Sequence, residues 1–217
     1  MPRTFSNRCD AGRQLGAALW HLRNVDPVVL ALPRGGVPVA FEIARVLEAP
    51  LAVLLVRKIG APFDPEFGIG AVVDGPDPQV ILDDMLVPPI ELPQGYIEEA
   101  VARELAVIDR RREFYGGART SIPLAKRTVI LVDDGIATGN TMRAAARTVV
   151  RQIPKWLVLA VPVASADVLI RLRAEADEVV CLLTPEPFGA VSEHYMDFAQ
   201  TSDGEVVKLL RLAQGAE

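Results

Sequence analysis

The chain has 217 residues, half of them apolar, and a formal net charge of −5. That length suits one well-buried domain with a small appended lobe, and the acidic balance argues against nucleic-acid binding as the main activity while leaving small anionic ligands open. Its two cysteines, Cys9 and Cys181, lie far apart without metal-ligand spacing, which argues against a disulfide framework and for reduced thiols in a cytoplasmic protein.

The opening stretch, MPRTFSNRCDAGRQLG, has no apolar core of the signal-peptide kind. From Asp10 to Arg23, Leu15, Ala18, Leu19 and Leu22 recur at helical spacing, so this segment is predicted as an amphipathic helix with Asp10 available as its cap. A short apolar strand at Val28 to Leu32 then meets a glycine turn and a helix from about Val37 to Leu47. LAVLLVRKIG reads as a second strand, VILV at 129–132 as a third, WLVLAVPV as a fourth and EVVCLLT as the last. Helices at about Thr141 to Gln152 and Ala166 to Ala174 fall between them. Strands alternating with helices predict an α/β fold with a doubly wound parallel sheet.

Two regions break that rhythm. In Gly60 to Ala125, GIGAVVDGPDPQVILDD reads as an antiparallel hairpin turning at Asp74 to Pro78, followed by a proline-rich link and a helix from about Gln94 to Tyr115. This is an insertion of the flap kind. The tail from Thr184 packs prolines and aromatics into an irregular stretch before a final helix at about Asp203 to Ala213. The whole reads as a single domain over 1–217, with the insertion at about 60–125 and the tail at about 184–217. The longest charge-free apolar run, Trp156 to Ala166, has 11 residues, too few to cross a bilayer.

The stretch that carries chemistry is VILVDDGIATGNT, Val129 to Thr141. An apolar strand runs into two acids and then a small-residue turn at the start of a helix, where ligands bind in open α/β sheets. A helix start offers unpaired N–H groups and a positive dipole end, Gly139 admits close approach, and the hydroxyls of Thr138 and Thr141 add donors. Such a cradle fits one phosphate monoester. Asp133 and Asp134 would repel that phosphate, so they are placed toward neutral hydroxyls or a divalent cation beside it. A phosphorylated sugar satisfies both halves. LPRGGV, Leu32 to Val37, follows the first strand; Gly35 and Gly36 free the backbone to curl around an anion and Arg34 adds a planar fork, which suits a diphosphate. Arg57 and Lys58 end the predicted second strand; Lys58 is the better candidate for reaching over the sheet edge to the same anion, and a pair of solvated charges ending a strand reads as readily. Arg110, Arg111 and Arg112 close the insertion helix before Gly116 and Gly117 as a solvated helix end, with one arginine able to swing inward if the flap closes. Phe188, Tyr195 and Phe198 are candidates for stacking a flat heterocycle, each as readily a packing residue, and His194 and His21 lack ligand-spaced partners.

At Val129 to Thr141 the chain resembles the type I phosphoribosyltransferase family, whose signature is an apolar strand, two adjacent acids and a small-residue loop ending in Thr or Ser. Gly135 departs from it, standing where an aliphatic residue or Ser is usual, which would loosen the turn. The resemblance implies 5-phosphoribosyl 1-pyrophosphate and Mg²⁺, with Asp133 and Asp134 on the ribose 2- and 3-hydroxyls and touching the metal only through substrate or water. Ala137, Thr138, Gly139, Asn140 and Thr141 would hold the 5-phosphate, and the Arg34 loop the pyrophosphate. It implies a hood built from the chain ends, a place that suits the candidacy of Phe188 and Tyr195 for the acceptor. Ala137 stands where the 6-oxopurine branch has an Asp, which argues against that branch; Glu66 and Glu193 are only guesses for the base. The expected activity is phosphoribosyl transfer to a nitrogen acceptor such as a nucleobase, with small molecules as partners, no nucleic acid, no membrane, and a homo-oligomer left open. A non-catalytic regulator that senses the sugar diphosphate is the alternative. A diphosphokinase-like enzyme would need an ATP site, and no P-loop or dinucleotide fingerprint occurs.

Overall fold

Residues 4–75, 78–82, 90, 92–115 and 122–215 are described by the computed structural model. Helix α1 (Arg8–Ala18) is capped by Asn7, whose side chain accepts from the Asp10 amide at 2.9 Å while Asp10 accepts from the Ser6 amide at 3.0 Å. The cap is therefore Asn7, and Asp10 fastens the residue before it through the Ser6 amide. The helix stops before a 3-10 turn at Trp20–Leu22.

Five parallel strands form the central sheet: β1 (Pro27–Ala31), β2 (Leu51–Val53), β6 (Thr128–Val132), β7 (Trp156–Val163) and β8 (Glu178–Leu183), in the order β2-β1-β6-β7-β8. In the register, Leu30 stands beside Leu131 and Leu131 beside Leu159, so like side chains line one layer. Because side chains alternate along a strand, Val29, Ala31, Ile130 and Val132 face one apolar layer and Val28, Leu30, Val129 and Leu131 the other. Helices α1, α2 (Gly36–Leu47) and α6 (Asp203–Ala213) supply the first layer; α4 (Asn140–Val150) and α5 (Ala166–Leu172) supply the second. Each fully buried Leu or Ile in these layers contributes about 1.5–3 kcal/mol relative to exposure. Both β1 and β6 are buried end to end, so their carboxyl ends are rigid mounts for the loops that follow.

The second predicted strand is corrected. LAVLLVRKIG is two strands: β2 ends at Val53, and β3 (Val56–Ala61) turns away to pair antiparallel with β4 (Asp64–Val73), which pairs in turn with β5 (Gln79–Leu82). A continuous apolar run does not show where the chain bends, because Leu54 and Leu55 are as buried as the strand before them. The predicted hairpin is present as β4 and β5, with Val73 opposite Gln79; Pro76 and Asp77 of its turn lie outside the described residues, as do Asp83 and Asp84, most of the proline-rich link, and Gly116 and Gly117. Helix α3 (Tyr96–Phe114) packs on β3, and the three-stranded sheet lies over α4.

Both chain ends meet over the sheet. Phe5 bridges Tyr195, with the Phe5 amide donating to the His194 carbonyl and the Met196 amide to the Phe5 carbonyl, at 2.9 and 2.8 Å. Among the described residues no helix is long and apolar enough to cross a membrane. Cys9 and Cys181 are free thiols, both pushed up in pKa chiefly by burial.

Candidate functional site

Two loops leave neighbouring parallel strands at the same edge and touch. The Leu32 amide donates to the Val132 carbonyl at 2.9 Å, and the chain continues through Pro33 and Arg34, joined by a cis peptide, to Gly35 and Gly36. A Cβ on Gly35 would collide with the Asp134 carboxylate, and one on Gly36 would lie 2.7 Å from the Val132 carbonyl oxygen. The paired glycines are thus required by the approach of one loop to the acids of the other.

Asp133 and Asp134 follow β6 and are half-buried; Asp133 Oδ1 accepts from the Asp134 amide at 2.9 Å. Burial, and then the neighbouring Asp134 charge, hold the Asp133 carboxyl well above the usual range. Burial raises Asp134 too, against the opposing pull of Arg8, whose Nε lies 2.7 Å from Asp134 Oδ2. The hydroxyl of Tyr195 donates to the Asp134 backbone carbonyl. After the acids the Ile136 amide donates to the Val163 carbonyl at 2.9 Å, so the end of β7 supports the loop. Gly135 does not loosen this turn: the place of its missing Cβ is filled by Val191 from the tail, and Val163 Cγ1 lies 3.0 Å from it.

Ala137, Thr138 and Thr141 are exposed, Asn140 is half-buried, and Gly139 sits at φ +83° as the residue before α4. The helix begins at Asn140, and its first-turn amides have no carbonyl within the helix to receive them. Together with the two threonine hydroxyls, these amides are donors of the kind that an anion takes.

Arg34 does reach the site, but it is already paired. Its Nη1 lies 3.4 Å from Asp203 Oδ2 at the first residue of α6, and the Tyr115 hydroxyl donates to the other Asp203 oxygen at 2.6 Å. Burial, with the Asp203 hydrogen bond second, pushes the Tyr115 hydroxyl up in pKa. Lys58 is elsewhere: it is exposed on β3, lining with Arg57, Tyr96, Arg103 and Glu104 a cavity of about 530 Å³ that none of the loop residues borders. The strand that was to carry it to the sheet edge ends at Val53. Arg57 is held by Glu104 at 2.8 Å. Arg112 is clamped by Asp74 and by Asp109, which ties the hairpin to α3, while Arg110 bonds back to the Ala106 carbonyl.

The tail aromatics pack on one another. The Tyr195 ring is 6% exposed, with Phe5 at 5.4 Å and Phe198 at 5.0 Å between centroids, so its place is in a core and under Asp134 rather than against a flat ligand. Phe188 is half-buried and stacks on the buried His194 at 5.9 Å. Phe198 lies under the Arg8 guanidinium at 3.8 Å. Glu193 is exposed, and the Glu66 side chain lies outside the described residues. His21 contacts Glu178 on the surface. Beside Arg8 opens a polar cavity of about 210 Å³ lined by Asn7, Cys9, Asp197, Gln200 and Glu205.

Sequence reasoning missed Arg8, Asp203 and Tyr115. Each reads locally as an ordinary helix-end residue, and only the fold brings them to the two loops. Among the described residues no cluster of three or more His, Cys, Asp or Glu could hold a metal. The donor set fits a hard cation held largely by a ligand's oxygens and water, with Asp133 as the carboxylate at hand, since Mg²⁺ keeps several waters and takes few protein ligands.

Rv0571c of Mycobacterium tuberculosis strain H37Rv, provisionally named a phosphoribosyl transferase, is 46% identical over 208 residues, covering 96% of this chain. The chain spans 46% of that relative's length. The crystal structure of TT1426 from Thermus thermophilus superposes with a TM-score of 0.83 at 43% identity, covering 99% of this chain and 100% of that one. A Neisseria gonorrhoeae hypothetical protein solved with bound ppGpp shares the fold alone, at a TM-score of 0.50 and 13% identity over 97% of each chain. A family model described as phosphoribosyl transferase domain matches residues 12–197, from α1 through both loops to the tail aromatics. With that match spanning the two loops whose glycines and acids interlock, the chain belongs to the phosphoribosyl transferase family.

Proposed function

We propose that the chain transfers the phosphoribosyl group of 5-phosphoribosyl 1-pyrophosphate to a nitrogen acceptor and releases pyrophosphate. The observation that carries this reading is the contact between Gly35 and Asp134, which sets an arginine-bearing anion loop and a ribose-phosphate loop side by side at one sheet edge. One ligand with a diphosphate at one end and a monoester at the other spans both.

In the reaction the C1–oxygen bond to pyrophosphate breaks as the acceptor nitrogen bonds C1 from the opposite face, and the nitrogen gives up its proton to a base or to solvent. Asp133 and Asp134 accept from the ribose hydroxyls and fix the ring; the amides of Ala137 to Thr141 and the threonine hydroxyls hold the 5-phosphate; Arg34 takes the departing pyrophosphate. Mg²⁺, when bound, neutralises pyrophosphate oxygens. Lys58 serves only if the antiparallel sheet moves, since in this conformation it faces its own cavity. The acceptor's place is the polar cavity beside Arg8, whose amides and carboxylates offer hydrogen bonds to a nitrogen heterocycle.

A second reading, a sensor that binds the sugar diphosphate without turnover, is supported by the pairing of both site charges within the protein, Arg34 with Asp203 and Asp134 with Arg8. Pyrophosphate release from phosphoribosyl pyrophosphate and Mg²⁺ over a panel of purine, pyrimidine and pyridine acceptors separates the two. Release with one acceptor, abolished in the Asp133→Asn, Asp134→Asn double variant, supports the transferase. Saturable binding with silence across the panel supports the sensor.

A further inference from the structure

Asp134 is more enclosed than Arg34, with its side chain 15% exposed against 28%, and its partner Arg8 lies 126 residues away in sequence. Arg8 is the first residue of α1 and is only 11% exposed. Its guanidinium is fixed in three directions: Nε bonds Asp134 Oδ2 at 2.7 Å, Nη1 donates to the Ala199 carbonyl at 2.7 Å, and its face lies 3.8 Å from the Phe198 ring centroid. A planar fork suits such a place, because two nitrogens can serve two oxygens while the flat face packs on an aromatic ring. The α1 cap holds the start of the helix beneath it, through Asn7 and Asp10. The same Asp134 Oδ2 lies against Gly35, where a Cβ would collide with it, and the Tyr195 hydroxyl donates to the Asp134 backbone carbonyl.

Packed against Gly35 and bonded by Arg8 through that one oxygen, the Asp134 carboxylate is held in place. We propose that Arg8 is a positioning residue for the ribose subsite, aiming the Asp134 carboxylate and offsetting the charge it brings beside Asp133. This rests on the phosphoribosyl reading of the two loops. Because the same guanidinium bonds Ala199 and covers Phe198, Arg8 also ties the tail to the ribose subsite, so the cover over the acceptor cavity and the grip on the sugar are set by one side chain. None of the three contacts of the guanidinium is to the Arg34 loop, the proposed pyrophosphate half.

The test compares wild type, Arg8→Lys and Arg8→Met by calorimetric titration with ribose 5-phosphate, phosphoribosyl pyrophosphate and pyrophosphate, at a temperature where near-UV circular dichroism shows each folded. Arg8→Met should weaken ribose 5-phosphate and phosphoribosyl pyrophosphate by about 10- to 100-fold, the usual cost of removing a group that orients a ligand-holding residue, and leave pyrophosphate within about twofold. Arg8→Lys, which keeps the charge but loses the fork, should recover part of the loss, and it carries the same comparison if the methionine variant does not fold. Equal losses for all three ligands, or none, would overturn the positioning role. Wild-type protein that binds pyrophosphate but neither sugar phosphate overturns the phosphoribosyl reading itself, and the inference with it.

Discussion

The loop at 137–141 and the loop at 32–36 stand at one sheet edge, yet they are held in different ways. The first is local: its parts are consecutive, its residues are largely exposed, and its long-range support is the Ile136–Val163 hydrogen bond just before it. The second is interlocked, with glycines that fit against Asp134 and an arginine paired to Asp203 at the far end of the chain. On the proposed reading the difference has a reason: a phosphate cradle needs only backbone amides and small residues, whereas a site for a mobile, highly charged leaving group needs a cation whose charge is countered while the site waits. The price is that the second loop depends on distant residues.

The comparison breaks most visibly at Gly35. Gly35→Ala should drive a methyl group into the Asp134 carboxylate and reduce phosphoribosyl pyrophosphate binding by about 100-fold or more, because displacement near an ångström is enough to ruin such a site. Titration calorimetry measures it; a loss below about threefold would mean that the loops do not interlock. Gly139→Ala should cost less. Its φ of +83° penalises any side chain by about 1–2 kcal/mol, so ribose 5-phosphate binding should fall about tenfold with pyrophosphate binding spared.

Asp203→Asn sharpens the contrast in the opposite direction. Arg34 and Asp203 are about a third exposed, so screening keeps their pair weak, and freeing Arg34 should tighten pyrophosphate inhibition by only about two- to fivefold. Weaker inhibition would show instead that Asp203 holds Arg34 in its working position. The smallest effect expected is on stability. A carboxyl whose pKa is raised in the folded state contributes its full stability below the unfolded pKa and loses it as pH rises through the folded value. Asp133, raised by burial and then by Asp134, therefore opposes folding at neutral pH. Asp133→Asn should raise Tm at pH 7 by about 2–5 °C, a gain that shrinks toward about pH 4. Calorimetric scans across that range check it, and a gain that grows on acidification would contradict the sign.

What the sequence made legible divides along the same line. VILVDDGIATGNT carries the strand, the acids, the turn and the helix start in one unbroken run, and each part obeys a short-range rule, so the loop and its mounting could be read directly. The glycines of LPRGGV could be read as an anion loop, although what they fit against could not. Lys58 was misplaced because LAVLLVRKIG is apolar through the bend at Leu54 and Leu55, and nothing in its pattern marks the passage from one sheet to the other. The sequence leaves Tyr195 open between a ligand and packing, because an aromatic in an irregular tail has no periodicity to reveal its buried partners, Phe5 and Phe198. Arg8 and Asp203 were invisible for the same reason: their partners lie 126 and 169 residues away. Gly135 shows the reverse case, a departure from the family pattern that looked like looseness and is space taken by Val191.

The central claim is that the two loops hold the two halves of one ligand, and the most direct measurement is paired titration of ribose 5-phosphate and pyrophosphate into Arg34→Ala and into the Thr138→Ala, Thr141→Ala double variant. The account predicts a crossed result: Arg34→Ala loses pyrophosphate affinity about tenfold and keeps ribose 5-phosphate, while the threonine variant loses ribose 5-phosphate and keeps pyrophosphate. Parallel losses of both ligands in both variants would contradict the division of the site on which the phosphoribosyl reading rests.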